Sequence, residues 1–158
     1  VCDKGPEGGV GGSVRVARSL LKLKMLYDDR VVLILGNRDL NKLRLMSELD
    51  SAHFGEHVSI EALRAVQGPY WVPEAKRVSP AAYLSRVLAK ERDISETEVS
   101  DEMLLEANTR ANRLRYILKE TMGADGEFER RHAELTAIQH MTQAGTASAE
   151  VSEEDVVE

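Results

Sequence analysis

The chain has 158 residues, of which 42% are hydrophobic and 30% are charged, a composition typical of a single globular domain. Its formal net charge of −6 argues against a duplex nucleic-acid partner, because such a surface normally carries a basic patch. No apolar run approaches the roughly 18 residues of a membrane span, so no membrane partner is expected, and the single cysteine, Cys2, excludes an internal disulfide framework.

The first elements in chain order are a loop, a helix and a strand. Residues 5–13 are rich in glycine and predict a flexible loop. Apolar residues recur at helical spacing over residues 14–25, with basic residues mostly off that stripe, which predicts an amphipathic helix. Residues 31–35 form a continuous apolar and β-branched run, typical of a strand covered on both faces, and another helix is predicted over residues 40–49.

Beyond Asp50 only helical patterns are strong. A short helix is predicted near residues 59–66, and another follows Ser79-Pro80, where proline suits the first helical position. A longer helix is predicted from about Ser100 to Gly123, and a last one over residues 127–143. The remaining residues are acidic and contain no basic side chain, which indicates a solvated tail.

Two short motifs stand out, Asp3-Lys4-Gly5-Pro6 and Gly36-Asn37-Arg38-Asp39, separated by one predicted helix and one predicted strand. Over residues 1–48 this order resembles the calcineurin-like metallophosphoesterases, in particular the Ser/Thr phosphatase and dinucleoside-polyphosphatase branches. That family has Gly-Asp-x-x-Asp-Arg/Lys-Gly followed by Gly-Asn-His-Asp/Glu. Its Asp-x-His, its bridging Asp and its later Gly-His-x-His have no counterpart in this sequence, so the resemblance implies an internal fragment without a complete site.

The resemblance implies an α/β fold: a fragment of a metallophosphoesterase β-sandwich flanked by helices, followed by a mostly helical insertion. Residues 1–49 would belong to that core, residues 50–145 would form a helical insertion or cap with a possible protein partner, and residues 146–158 would be a disordered acidic tail. Cysteine usage and the lack of a signal peptide favour a cytoplasmic protein.

The resemblance also implies a metal-dependent phosphoesterase. Two divalent ions, Mn, Fe, Zn or Mg, would activate a hydroxide that attacks a phosphorylated protein or small-molecule substrate. Asp3 would orient the catalytic group, Lys4 would hold the substrate phosphate, and Asn37 would ligate a metal. Arg38 stands where the family usually has histidine; it cannot act as a general acid, but it would stabilise developing charge. The alternative is a degenerate phosphoesterase fold that serves as a non-catalytic scaffold or protein-interaction module.

Simpler interpretations of the same residues stay open. Asn37 after a predicted strand is also explained as an ordinary turn residue. Lys4 is also explained as a solvated surface lysine, and Arg38 as a structural ion-pair partner. The glycine-rich stretch lacks the lysine and the preceding strand of a phosphate-binding loop. Cys2 has no neighbouring histidine in the sequence that would activate it.

The histidines are weaker candidates for metal ligands. His53 and His57 have the spacing that places two ligands on one helical face, but Gly55 lies between them. His132 and His140 belong to a charged predicted helix, where a solvated face is the simpler interpretation.

Overall fold

The computed structural model describes residues 12–142 and 150–158. Within these ranges every regular element is helical, and the chain forms no strand. The helices are α1 (Ser13–Leu26), α2 (Asn37–Asn41), α3 (Leu45–Glu48), α4 (Ile60–Ala65), α5 (Pro80–Arg92), α6 (Asp101–Glu106), α7 (Arg110–Tyr116), α8 (Glu127–Thr142) and α9 (Glu153–Val157). A π-helical turn, Ile117–Thr121, follows α7 directly.

The predicted α/β fold, a fragment of a metallophosphoesterase β-sandwich, is therefore wrong, and with it the resemblance to the calcineurin-like metallophosphoesterases. Residues 31–35 were expected to form its buried strand. Val31 is extended, with φ −119° and ψ 114°, but Val32 and Ile34 are 78% and 87% exposed. A β-branched run becomes a buried strand only when neighbouring strands cover it, and the described residues supply none.

The chain divides into two compact units. One consists of residues Met46–Gly123, and the other combines the segments before and after it. No helix in the described ranges is long and apolar enough to cross a membrane.

Helix starts in the Met46–Gly123 unit follow the sequence closely. The hydroxyls of Ser59, Ser79 and Ser100 accept hydrogen bonds from the backbone N–H three residues later, which satisfies one free donor at the start of α4, α5 and α6. Pro80 occupies the first position of α5, as predicted.

The long helix expected between Ser100 and Gly123 is broken in two. Thr109 accepts a hydrogen bond from the N–H of Asn112, and the Asn112 amide donates to the Ala107 carbonyl at 3.0 Å. These side chains satisfy the backbone groups that a continuous helix would have paired, so α6 ends and α7 begins afresh. Gly123 then ends the helical region at φ +63°, a left-handed conformation that favours glycine.

The core of this unit lies among α4 to α7. Leu63 and Ile117 are 1% and 0% exposed. The Tyr116 hydroxyl donates to the Val78 carbonyl at 2.9 Å, and the Asn108 amide donates to the His53 carbonyl at 2.9 Å. These bonds fix the loops before α4 and α5 against α6 and α7.

In the other unit, α8 packs against α9. Phe128 is 2% exposed and Val156 is 9% exposed, and the His132 Nε2–H donates to the Val151 carbonyl at 3.0 Å. α9 begins with Ser152, whose hydroxyl accepts from the N–H of Asp155 while the Asp155 carboxylate accepts from the N–H of Ser152. The predicted acidic tail thus contains a capped helix, and its residues 146–149 lie outside the described ranges.

Candidate functional site

The four residues predicted to carry catalysis are only partly described. Asp3 and Lys4 lie outside the described residues. Asn37 is the first residue of α2, and its side chain is exposed to solvent. Arg38 follows in α2, with its side chain outside the described part of the chain. Asn37 is the one of the four whose side chain lies within the described residues, so the predicted constellation stays a prediction.

The Gly36-Asn37-Arg38-Asp39 motif forms the start of a helix. The Asp39 carboxylate accepts a hydrogen bond from the Gly36 N–H at 3.0 Å, and the Asp39 N–H donates to the Gly36 carbonyl at 3.0 Å. This reciprocal pairing closes the first turn of α2, and it places a negative charge at the positive end of the helix. Asp39 therefore has a structural role here.

Within residues 12–142 and 150–158, no group of three or more histidine, cysteine, aspartate or glutamate side chains could hold a metal ion. His53 and His57 do not share a helical face, because Gly55 turns the chain between them at φ +95°. The His57 Nε2–H donates to the Ala52 carbonyl at 3.3 Å, since a carbonyl oxygen can only accept.

The outer surface of α1 combines cations with exposed apolar side chains. The helix has 14 residues, with four basic side chains and no acidic one, in a chain whose net charge is −6. Arg15, Arg18 and Lys22 are exposed and lie close together around the helix, and none of them enters an ion pair among the described residues. Lys24 differs, because it pairs with Asp28 at 2.5 Å.

Exposed apolar residues flank this basic face on both sides. Leu21 and Met25, 56% and 84% exposed, lie on one side together with Val14. Val16 and Leu23, 41% and 42% exposed, lie on the other side. We call the basic face and its two apolar flanks the α1 surface.

The opposite side of α1 is already partly covered. Ala17, Leu20 and Lys24, spaced three and four residues apart, are the half-buried positions of the helix. The α1 surface is therefore the more exposed side of the helix.

A separate cavity of about 210 Å³ lies in the Met46–Gly123 unit, beside α4 and α7. Its wall is apolar on the α4 side, where Ala62 and Leu63 of the helix and Val66 directly after it line the cavity. Its polar side chains are those of two histidines, His53 and His57, of Ser59 and of Arg113. Arg113 is 5% exposed and is one of the few charged side chains that the unit buries.

Sequence reasoning missed Arg113 as a functional candidate. In the sequence it stands between Arg110 and Arg115 in a helix rich in basic residues, and nothing local distinguishes the three. Burial is the property that singles it out, and burial follows from how α7 packs against its neighbours.

Comparisons with protein-family models, with curated proteins and with solved structures find no match to this chain. The α1 surface and the cavity are therefore the two candidate sites among the described residues.

Proposed function

We propose that the chain is a protein-interaction module whose α1 surface inserts into an apolar groove of an acidic partner protein. The observation that carries the proposal is the coincidence on one exposed helix of three cations and of apolar side chains such as Met25, 84% exposed. Exposed large apolar side chains that cluster, in contrast to scattered ones, mark sites of association. A basic amphipathic helix is typical of helix-in-groove recognition.

The arrangement of the apolar residues favours a groove over a flat surface. The basic face separates the flank of Leu21 and Met25 from the flank of Val16 and Leu23, and the middle of the apolar arc, at Ala17 and Leu20, is half-buried. A bilayer surface would reach one flank at a time. A groove with apolar walls and an acidic floor would contact both flanks and the cations together.

The positive charge of the α1 surface indicates a negatively charged partner. Arg15, Arg18 and Lys22 extend into solvent from α1, so a negative potential on the partner accelerates encounter and excludes basic competitors. Association should therefore weaken as salt rises, because exposed charges are screened over about 8 Å at physiological ionic strength.

The test uses Ca²⁺-loaded calmodulin as the probe, an acidic protein that opens a methionine-rich apolar groove. We expect saturable binding of the full chain in isothermal titration calorimetry, weakened by salt. Met25→Asp should lower the affinity about ten-fold or more, equivalent to about 1.4 kcal/mol. Met141→Asp is the matched control, because Met141 is 75% exposed on α8 and lies outside the α1 surface.

A second pair of variants tests the charge. Arg18→Glu should lower the affinity and flatten its salt dependence, while Lys90→Glu, which reverses an exposed lysine on α5, should leave both unchanged. Vesicles containing phosphatidylserine form the second arm of the experiment. Binding to vesicles without binding to calmodulin, or equal losses in Met25→Asp and Met141→Asp, would overturn the proposal.

Metal-dependent hydrolysis of phosphate esters stays a prediction from the sequence motif, with no support from the described fold. Its direct assay is Mn²⁺-dependent turnover of para-nitrophenyl phosphate by the chain, compared with Asn37→Ala. Turnover that requires both the metal and Asn37 would show that the motif carries an activity besides the interaction.

A further inference from the structure

The cavity in the Met46–Gly123 unit has the size of a small organic ligand. Its volume of about 210 Å³ exceeds the roughly 150 Å³ of a cavity that accepts benzene, so it has room for about six to eight non-hydrogen atoms. Ala62, Leu63 and Val66 form an apolar wall on the α4 side. A ligand of this size with an apolar part would replace water along that wall.

Arg113 gives the cavity a buried cation. Its guanidinium donates to Asn108 Oδ1 over a long 3.5 Å and lies 5.6 Å from the centre of the Phe54 ring. Burial lowers the pKa of Arg113, and the attraction of Glu48 opposes that shift without cancelling it. The hydrogen bond from this buried guanidinium is thus long and goes to a neutral amide oxygen, so a carboxylate in the cavity would supply a charged acceptor.

The neighbouring charges indicate which anion fits. Glu48 acts on Arg113 as a negative charge, and it would repel any further anion in proportion to the charge of that anion. A carboxylate also matches the planar fork of a guanidinium, which can donate two parallel hydrogen bonds to it.

We propose that this cavity binds a short-chain carboxylic acid, with its carboxylate on Arg113 and its alkyl group against the wall formed by Ala62, Leu63 and Val66. His57 lines the cavity and is held by its bond to the Ala52 carbonyl. His53 lines the same cavity, with its ring set edge-on to Phe54 at 6.4 Å. The site is independent of the α1 surface, so either proposal can fail without the other.

The ligand pair that tests the proposal is butyrate and butyramide, which have nearly the same shape and differ in charge. Titration of the ¹⁵N-labelled full chain should show saturable shifts of amides around the cavity with butyrate. Butyramide should bind at least about ten-fold more weakly, because its neutral amide oxygen accepts a weaker hydrogen bond from the Arg113 guanidinium than a carboxylate does. Inorganic phosphate, which has no apolar part, should also bind more weakly than butyrate.

Two alanine variants on one helix test the location. Ala62→Leu places three more carbon atoms at the cavity and should lower butyrate affinity about ten-fold or more. Ala65→Leu adds the same atoms to an exposed position of α4 outside the cavity lining and should leave affinity unchanged. Circular dichroism checks that both variants fold.

Three results would overturn the proposal: no saturable shifts with butyrate, equal affinity for butyrate and butyramide, or phosphate binding more tightly than butyrate. The comparison of ligands uses the unmodified chain, so it decides the question even where Ala62→Leu disturbs folding. Unchanged affinity in a folded Ala62→Leu variant would place the ligand elsewhere and refute the assignment to this cavity.

Discussion

Replacing Tyr116 by phenylalanine removes one hydrogen bond that joins distant parts of the Met46–Gly123 unit. The Tyr116 hydroxyl donates to the Val78 carbonyl at 2.9 Å, across 38 residues of sequence. Tyr116 is 2% exposed, and its ring lies 5.7 Å from that of Tyr83. The substitution keeps the ring and its packing, so it isolates the contribution of the hydroxyl.

The expected cost follows from the burial of the two partners. A typical intramolecular hydrogen bond contributes about 0.5–1.5 kcal/mol net, and a buried acceptor left unpaired costs about 1–3 kcal/mol. Val78 is half-buried, so the cost is expected where these two ranges overlap. We expect Tyr116→Phe to lower the free energy of unfolding by about 1–1.5 kcal/mol, and the melting temperature by about 5–10 °C for a unit of this size.

The assay exploits the single tryptophan, Trp71, which lies in the same unit and reports its unfolding by fluorescence in urea. Tyr70→Phe is the matched control, because Tyr70 is 82% exposed and also lies in this unit. Its stability should stay within about 0.5 kcal/mol of the unmodified chain. The slope of the unfolding free energy against urea concentration must be the same in all variants, so that a shift of the midpoint reports a change in stability.

This prediction fails if Tyr116→Phe unfolds at the same urea concentration as the unmodified chain. It fails equally if Tyr70→Phe loses as much stability, since the effect would then belong to losing any tyrosine hydroxyl. A loss well above about 3 kcal/mol would show that the ring itself has moved, because one hydrogen bond does not account for it.

Three further outcomes are expected. Ile117→Ala should destabilise the Met46–Gly123 unit by about 3–4 kcal/mol in the same urea assay, because Ile117 is 0% exposed and its removal leaves a cavity. Ser79→Ala should cost about 1 kcal/mol there, because the N–H of Ala82 loses its acceptor, whereas a loss below about 0.3 kcal/mol would contradict a capping role. Hydrogen bonds from the Ser152 side chain and backbone lower the pKa of Asp155 in the folded chain. The ionised Asp155 therefore stabilises α9 fully at pH values above the ordinary carboxyl pKa of about 4. This stabilisation is lost as the pH falls through the lowered pKa of the folded state. Amide exchange in α9 measured against pH should show that loss, and Ser152→Ala should remove most of the dependence.

Local signals predicted much of the helical structure. Ser79-Pro80 marks the start of α5, and Gly123 ends the helical region of the Met46–Gly123 unit, because caps and turns depend on residues within one helical turn. The apolar stripe of the predicted long helix also reaches the core: Leu104, Leu114 and Ile117 are 4%, 9% and 0% exposed. Helical periodicity therefore identified buried residues even where it missed the break before α7.

Non-local properties were not predictable in the same way. The run at residues 31–35 satisfies every local criterion for a strand, yet a strand also needs a partner, and no segment within the described ranges pairs with it. The burial of Arg113 is likewise set by contacts with Phe54 and Asn108, which are distant from it or separated by a helix boundary. For both features the sequence near the residue carries no information about the neighbours that decide its role.

The incomplete burial of its apolar side chains makes α1 the candidate for association. A helix of 14 residues is marginal in water by itself, because nucleation is unfavourable and most helix stability in proteins comes from packing an apolar face. In α1, Ala17 and Leu20 are half-buried, whereas Leu21 and Met25 lie in solvent. A partner that buried those side chains would stabilise the helix as it bound. By linkage, a change that lowers the stability of the helix would also lower its affinity for the partner. Ala17→Gly, which lowers helix propensity by about 1 kcal/mol without touching the α1 surface, should therefore reduce affinity for the acidic probe.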